Sequence, residues 1–241
     1  MLKALSESPE GLEKEIQQIC LEILLSTTTE KAESLLETLQ KSLQAPKDPK
    51  DTRWEQWSQD MAGFAKNHAE TKQMEAKSIK TGKFAGWKIG LTRDPVDMLL
   101  LASETAGCQS IDGTPYLNKC ALAYVIDYKN SALVIKDKEG KIKARAILRA
   151  LYDKENKTPV LFLERHYASV MDSALNAALN AYAKEYAREA NLPLLTKEAA
   201  NGSPYAGTLS SLGSNAVFEY SDAGGGVTKG IFEIAGSRVM T

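Results

Sequence analysis

The sequence predicts an α+β protein: a helical N-terminal region over residues 1–83, then a mixed, mainly antiparallel sheet domain over 84–241 with one long amphipathic helix. Three patterns carry that expectation. Apolar residues recur every three to four positions through the first third, the period of a half-buried helix. Residues 142–149 alternate strictly between apolar and mostly basic side chains after a glycine turn, the period of a strand. From residue 171 to 190 the helical period returns.

Ser8-Pro9-Glu10 opens the first helix: a capping side chain, then proline where its missing N–H is no loss. Leu12, Ile16, Ile19, Cys20, Ile23 and Leu24 form its apolar stripe, so Cys20 reads as core. Thr28 or Thr29 caps a second helix with Leu35, Leu36, Leu39 and Leu43 on its face, ended by the prolines and charges of 45–51. Trp54, Trp57, Met61, Phe64 and His68 come next as a heptad-like seam, a packing or partner-docking surface. Residues 70–83 are polar and lysine-rich and read as a frayed helix end or a loop.

Residues 86–92 form a short strand, and Asp94-Pro95 starts a helix through Val96, Met98, Leu99 and Leu100. The segment 116–127 is apolar and fits helix or strand. Leu133, Val134 and Ile135 make one hairpin arm, residues 137–141 the turn, and 142–149 the other arm. Lys143, Arg145 and Arg149 then read as a solvated face. The run 159–164 is a more buried strand. Leu175, Leu179, Tyr182 and Tyr186 mark the long helix, with Asp172 or Ser173 at its start and Asn191-Leu-Pro193 at its end. In the tail, strands at 217–220 and 230–234 are expected to pair through the glycine run 224–226.

Composition narrows the function. A net charge of −1 offers no field to draw nucleic acid or an anionic membrane. No apolar run is long enough to span a bilayer. Cys20, Cys108 and Cys120 make an odd set, which favours a reducing, cytoplasmic compartment and leaves export as an effector open. With His68 and His166 as the only histidines and no zinc spacing, no metal site is expected.

The stretches ALVIKDKEGKIKARAILRAL (132–151), PVLFLERHY (159–167) and SALNAALNAYAKEYAREANLPLL (173–195) resemble the core of the GCN5-related N-acetyltransferase (GNAT) family: hairpin, strand, long helix, further strands. The resemblance covers roughly 65 residues. It implies an acyltransferase-like domain, moving an acyl group from acyl-CoA to an amine. It implies pantetheine beside residues 161–164, with Leu161 and Leu163, and the phosphate end near Ser169 and Ser173. In that setting Glu164 is the candidate base and Tyr220 or Tyr205 the candidate acid. The competing reading pairs Glu164 with Arg165 or Arg149 at a strand end. One departure stands out. The family's Q/R-x-x-G-x-G/A loop, which cradles the pyrophosphate with backbone amides, is replaced by Tyr167-Ala-Ser-Val-Met-Asp-Ser173. That slot has no glycine, and Asp172 adds a negative charge.

Two other readings stay open. Cys108, in the glycine-flanked loop ETAGCQSIDGTPYLNKC (104–120), could act as a thiol nucleophile with His166 as base and Asp112, Asp127 or Asp222 as orienter. The competing reading makes Cys108 a small packing residue. A third reading is a non-catalytic bacterial effector or protein-interaction module, similar to uncharacterised bacterial domains in its middle and tail. It would dock partners through the N-terminal helices, and Gln109, Ser110, Asp112, Thr114 and Asn118 make the 107–118 loop a recognition candidate.

Overall fold

The computed structural model describes residues 76–111, 113, 117–118, 120–126, 129–170, 172–199, 201–210, 219–220, 227–228 and 233–240. The N-terminal helices, the tryptophan seam, Cys20, Asp112, Thr114, Asp127, Asp222 and the glycine run 224–226 lie outside these residues.

The fold is α+β. In chain order the strands are β1 (Lys77–Ser78), β2 (Lys88–Thr92), β3 (Asn130–Lys136), β4 (Ile142–Asp153), β5 (Thr158–Leu163), β6 (Tyr167–Ala168), β7 (Leu194–Thr196), β8 (Leu209–Ser210), β9 (Glu219–Tyr220), β10 (Val227–Thr228), β11 (Glu233–Ile234) and β12 (Arg238–Val239). Helices α1 (Pro95–Glu104) and α2 (Cys120–Ile126) fall between β2 and β3, and α3 (Ser173–Ala190) between β6 and β7. The main sheet runs β1-β2-β3-β4-β5-β7-β12. Its described pairs are antiparallel except β5 with β7, which is parallel and therefore needs the α3 crossover. The succession hairpin, strand, long helix, strand is the one the GNAT resemblance implies.

Local chemistry explains the boundaries. Asp94 caps α1, its Oδ1 accepting from Val96 N at 2.9 Å and Asp97 N at 3.1 Å, with Pro95 in the first turn. The β3–β4 turn is held by Asp137 Oδ1, which accepts from Glu139 N and Lys141 N, while Gly140 adopts φ +81°. Asn191 ends α3 in the left-handed conformation, φ 53°.

β4 organises the core because it is covered on both faces. Ala144, Ala146, Leu148 and Ala150 meet Leu175, Leu179, Tyr182 and Ala183 of α3. The alanines let the helix lie close, and α3 crosses β2, β3, β4 and β7. The opposite face lies under α1 and the loop after it. Further along, Leu151 joins Phe162, Leu195, Leu209 and Ile234 in a second cluster.

Beyond Leu163 the chain bulges before it pairs with β4 again as β6. Leu163 lies opposite Leu148, and Tyr167 opposite Arg145. Residues 164–166 therefore face only 146–147, one residue too many. That extra residue reverses the parity of β6 relative to β5. Phe162 and Glu164 share one face, and Tyr167 is returned to that same face instead of to α3.

Three expectations are corrected. Residues 77–78 are a strand paired with Lys88 and Ile89, not a helix end or free loop; Trp87 and Phe84 close that hairpin, ring centroids 4.7 Å apart. In the tail, β9 pairs with β10, and β11 pairs with β8, so 217–220 and 230–234 are not hairpin partners. Most importantly, Arg145 and Arg149 are buried, 2% and 0% exposed. Alternation shows that a strand has two unlike faces; it does not show that the polar one meets water.

Leu179 is fully buried between α3 and β4. Leu179→Ala is expected to lower unfolding free energy by about 2–5 kcal/mol, measured by urea denaturation. A loss under about 1 kcal/mol would contradict the packing described.

Candidate functional site

The densest buried chemistry lies between β4 and the two short helices. Arg149 comes from β4 and Glu164 from the bulge after β5. The two are joined by Nε donating to Oε1 at 2.7 Å, with Glu164 4% exposed. Arg149 Nη1 also donates to Asn130 Oδ1 at 3.0 Å. The Tyr124 ring of α2 lies 5.3 Å from the guanidinium carbon. Tyr124 and Gln109 exchange hydrogen bonds of 2.9 and 3.0 Å. Burial, and then the Glu164 carboxylate, push the Tyr124 phenol well above its ordinary range. So Gln109, expected in a recognition loop, turns inward and serves the core.

Glu164 therefore sits as half of a sealed ion pair. A general base must offer its oxygen to a proton on the substrate. Here Oε1 faces a fully buried guanidinium. Of the roles open to Glu164 in the sequence, pairing with Arg149 is the one present.

The other candidates are scattered. Tyr205 donates its hydroxyl to the buried Asp153 carboxylate, and burial with that carboxylate pushes its phenol up to about 12. Asp153 is the last residue of β4, six positions beyond Ile147, whose carbonyl accepts from Glu164 N. At about 3.3 Å per residue this places Tyr205 about 20 Å along the strand from Glu164, too far to act as its acid partner. The backbone of Tyr220 is in β9, near α2; its side chain is outside the described residues.

Cys108 is exposed in the loop after α1. Its neighbour is Cys120, the buried first residue of α2, whose thiol burial and the Cys108 charge push up to about 12. His166 lies elsewhere, at the bulge, against Asn180 of α3 and near the Glu198 carboxylate. No contact joins Cys108 to His166 among the described residues.

The residues that the resemblance gives to acyl-CoA have partners within the fold. Leu161 and Leu163 are buried, and their backbone is paired to β4 on one side and β7 on the other. Ser169 N is bonded to Lys143 O at 2.9 Å. Ser173 opens α3 but Asp172 caps it, Oδ1 accepting from Ala174 N at 2.8 Å, and the same carboxylate is ion-paired with Lys83. The Lys83 ammonium, then the Ala174 amide, hold the Asp172 carboxyl below its ordinary range. An anion approaching this helix end meets a carboxylate already there.

Among the described residues no helix is long and apolar enough to cross a membrane, and no group of three His, Cys, Asp or Glu is placed to hold a metal.

No protein-family model matches the chain, and no curated protein matches it. Among solved structures it is similar to a ribosomal-protein-alanine N-acetyltransferase from Brucella melitensis biovar Abortus 2308. The identity there is 16%, over 47% of this chain and 82% of that one, with a TM-score of 0.36. It is also similar to a protein described as a possible acetyltransferase from Clostridium difficile 630, at 17% identity over 48% and 83% of the two chains, with a TM-score of 0.37. Identities this low transfer no activity to this chain.

Glu164→Gln leaves Arg149 charged and sealed without its counter-ion. It is expected to cost about 3–5 kcal/mol of stability, whereas replacing both partners by apolar residues recovers most of that. Urea denaturation of the single and double variants checks it; a single-variant loss below about 1 kcal/mol would sink the account.

Burial holds the His166 imidazole below its ordinary 6.5, opposed by Glu198 and Asn180. Below pH 6.5 the unfolded chain then binds the proton more readily than the folded one, so stability is lost as pH falls through 6.5 toward the folded value. His166→Gln should flatten that fall between about pH 7 and 5.5, read from urea midpoints. An unchanged slope would contradict it.

Proposed function

We propose that this chain carries a GNAT-type domain that has given up acyl-CoA-dependent transfer and works as a non-catalytic binding module. The observation that carries the reading is the start of α3. There the Asp172 carboxylate, paired with Lys83, takes the amide of Ala174 and sits where the family pattern would seat a pyrophosphate. Filling an anion-binding helix end with the chain's own anion removes the electrostatic reason for phosphates to bind. Two further features support it. Residues 161–163 are sealed between β4 and β7, and the Glu164 carboxylate is committed to Arg149. Partner contact is assigned to the N-terminal segment with its Trp54, Trp57, Met61 and Phe64 seam.

Acetyl-CoA and CoA, titrated to millimolar concentration, are expected to leave the Tm of the full chain unchanged within about 1 °C, since a ligand that binds the native state must raise it. A saturable rise, or release of CoA in the presence of an amine acceptor, would restore the acyltransferase reading.

A further inference from the structure

We propose that Arg145 anchors an oxyanion-binding site on the α1 side of the sheet, taking the phosphate or carboxylate group of a small ligand. Arg145 and Arg149 stand four residues apart on the same face of β4. Arg149 has a carboxylate; among the described residues Arg145 has none. The contacts of Arg145 among those residues are a 3.4 Å hydrogen bond from Nε to the Thr105 hydroxyl and the Tyr167 ring, 4.4 Å from the guanidinium carbon. Neither neutralises a cation, yet the residue is 2% exposed. A buried charge without a counter-ion is strongly unfavourable, and among the described residues this guanidinium has none.

Two neighbours hold the guanidinium in place. The bulge at 164–166 returns Tyr167 to this face, where its ring lies against the guanidinium. The loop after α1 passes over it at Gly107, where a Cβ would lie 2.8 Å from Nη2 and 3.1 Å from the Ala102 Cβ. Glycine is the residue that lets backbone come this close. A planar guanidinium presenting paired N–H groups matches the oxygens of a phosphate or carboxylate. This site lies across the sheet from α3 and is independent of whether acyl-CoA binds.

The test is thermal unfolding of the full chain in inorganic phosphate or in sodium acetate, each at ionic strength held constant with chloride. A saturating Tm rise of roughly 3–6 °C is expected with at least one of them; which anion acts distinguishes a phosphate group from a carboxylate. Arg145→Met should abolish the rise. Gly107→Ala, which keeps the charge but crowds Nη2, should weaken it at least roughly tenfold in half-saturating concentration, and decides the matter if Arg145→Met does not fold. No rise with either anion, or a rise that survives in the variants, overturns the proposal.

Discussion

On a strand covered on both faces an unanswered charge is costly, and β4 is covered on both. On its even positions alanines bring α3 within packing distance of the sheet. On its odd positions it carries long cations into a layer closed by the loop after α1 and by α2. Much of the surrounding architecture answers those cations: Glu164 and Asn130 for Arg149, Tyr124 stacked beside it, Gln109 completing Tyr124. In a medium with little water, the attraction within the Arg149/Glu164 pair must offset the desolvation of both groups. That balance holds only while the remaining donors of Arg149 are also satisfied.

The bulge is the device that makes this possible. Without the extra residue at 164–166, strict alternation would place Glu164 beside Arg149 but send Tyr167 toward α3. With it, both face the arginine layer, and Ala168, small enough to sit under α3, takes the other side. A single inserted residue thus serves both cores. The bulge also separates the region paired to β7 from the region paired only to β4; beside it His166 lies against Asn180, and Arg165 donates to Glu198 at 3.4 Å.

Periodicity and turn chemistry make most of the sheet legible. The 137–141 turn, the alternation of β4, the Asp94-Pro95 start and the stripe of α3 each derive from local rules, and each is present. Local rules do not carry the second layer. A strand with a basic face reads the same whether that face meets water or helices. The signal that distinguishes the cases lies elsewhere: 95–104 and 120–126 are apolar segments that need a surface to cover, and α3 already covers the other face of the sheet. The two-residue strands of the tail and β1 escape a sequence reading because they are too short to show a period.

A resemblance in fold and a likeness in chemistry rest on different residues. The topology of this sheet is fixed by apolar burial along 132–195, which tolerates many side chains of similar size. The chemistry of an acyl-CoA site depends on a few backbone amides and a carboxylate, polar groups that can change without disturbing an apolar core. Here Asp172 takes the amide, Lys83 takes Asp172, and Arg149 takes Glu164. Each of these contacts ties a polar group into the fold. A sequence can therefore keep every apolar position that builds the sheet while its polar positions are redirected inward. In this chain the redirection leaves one cation on the opposite face of the sheet, Arg145, without a counter-ion among the described residues.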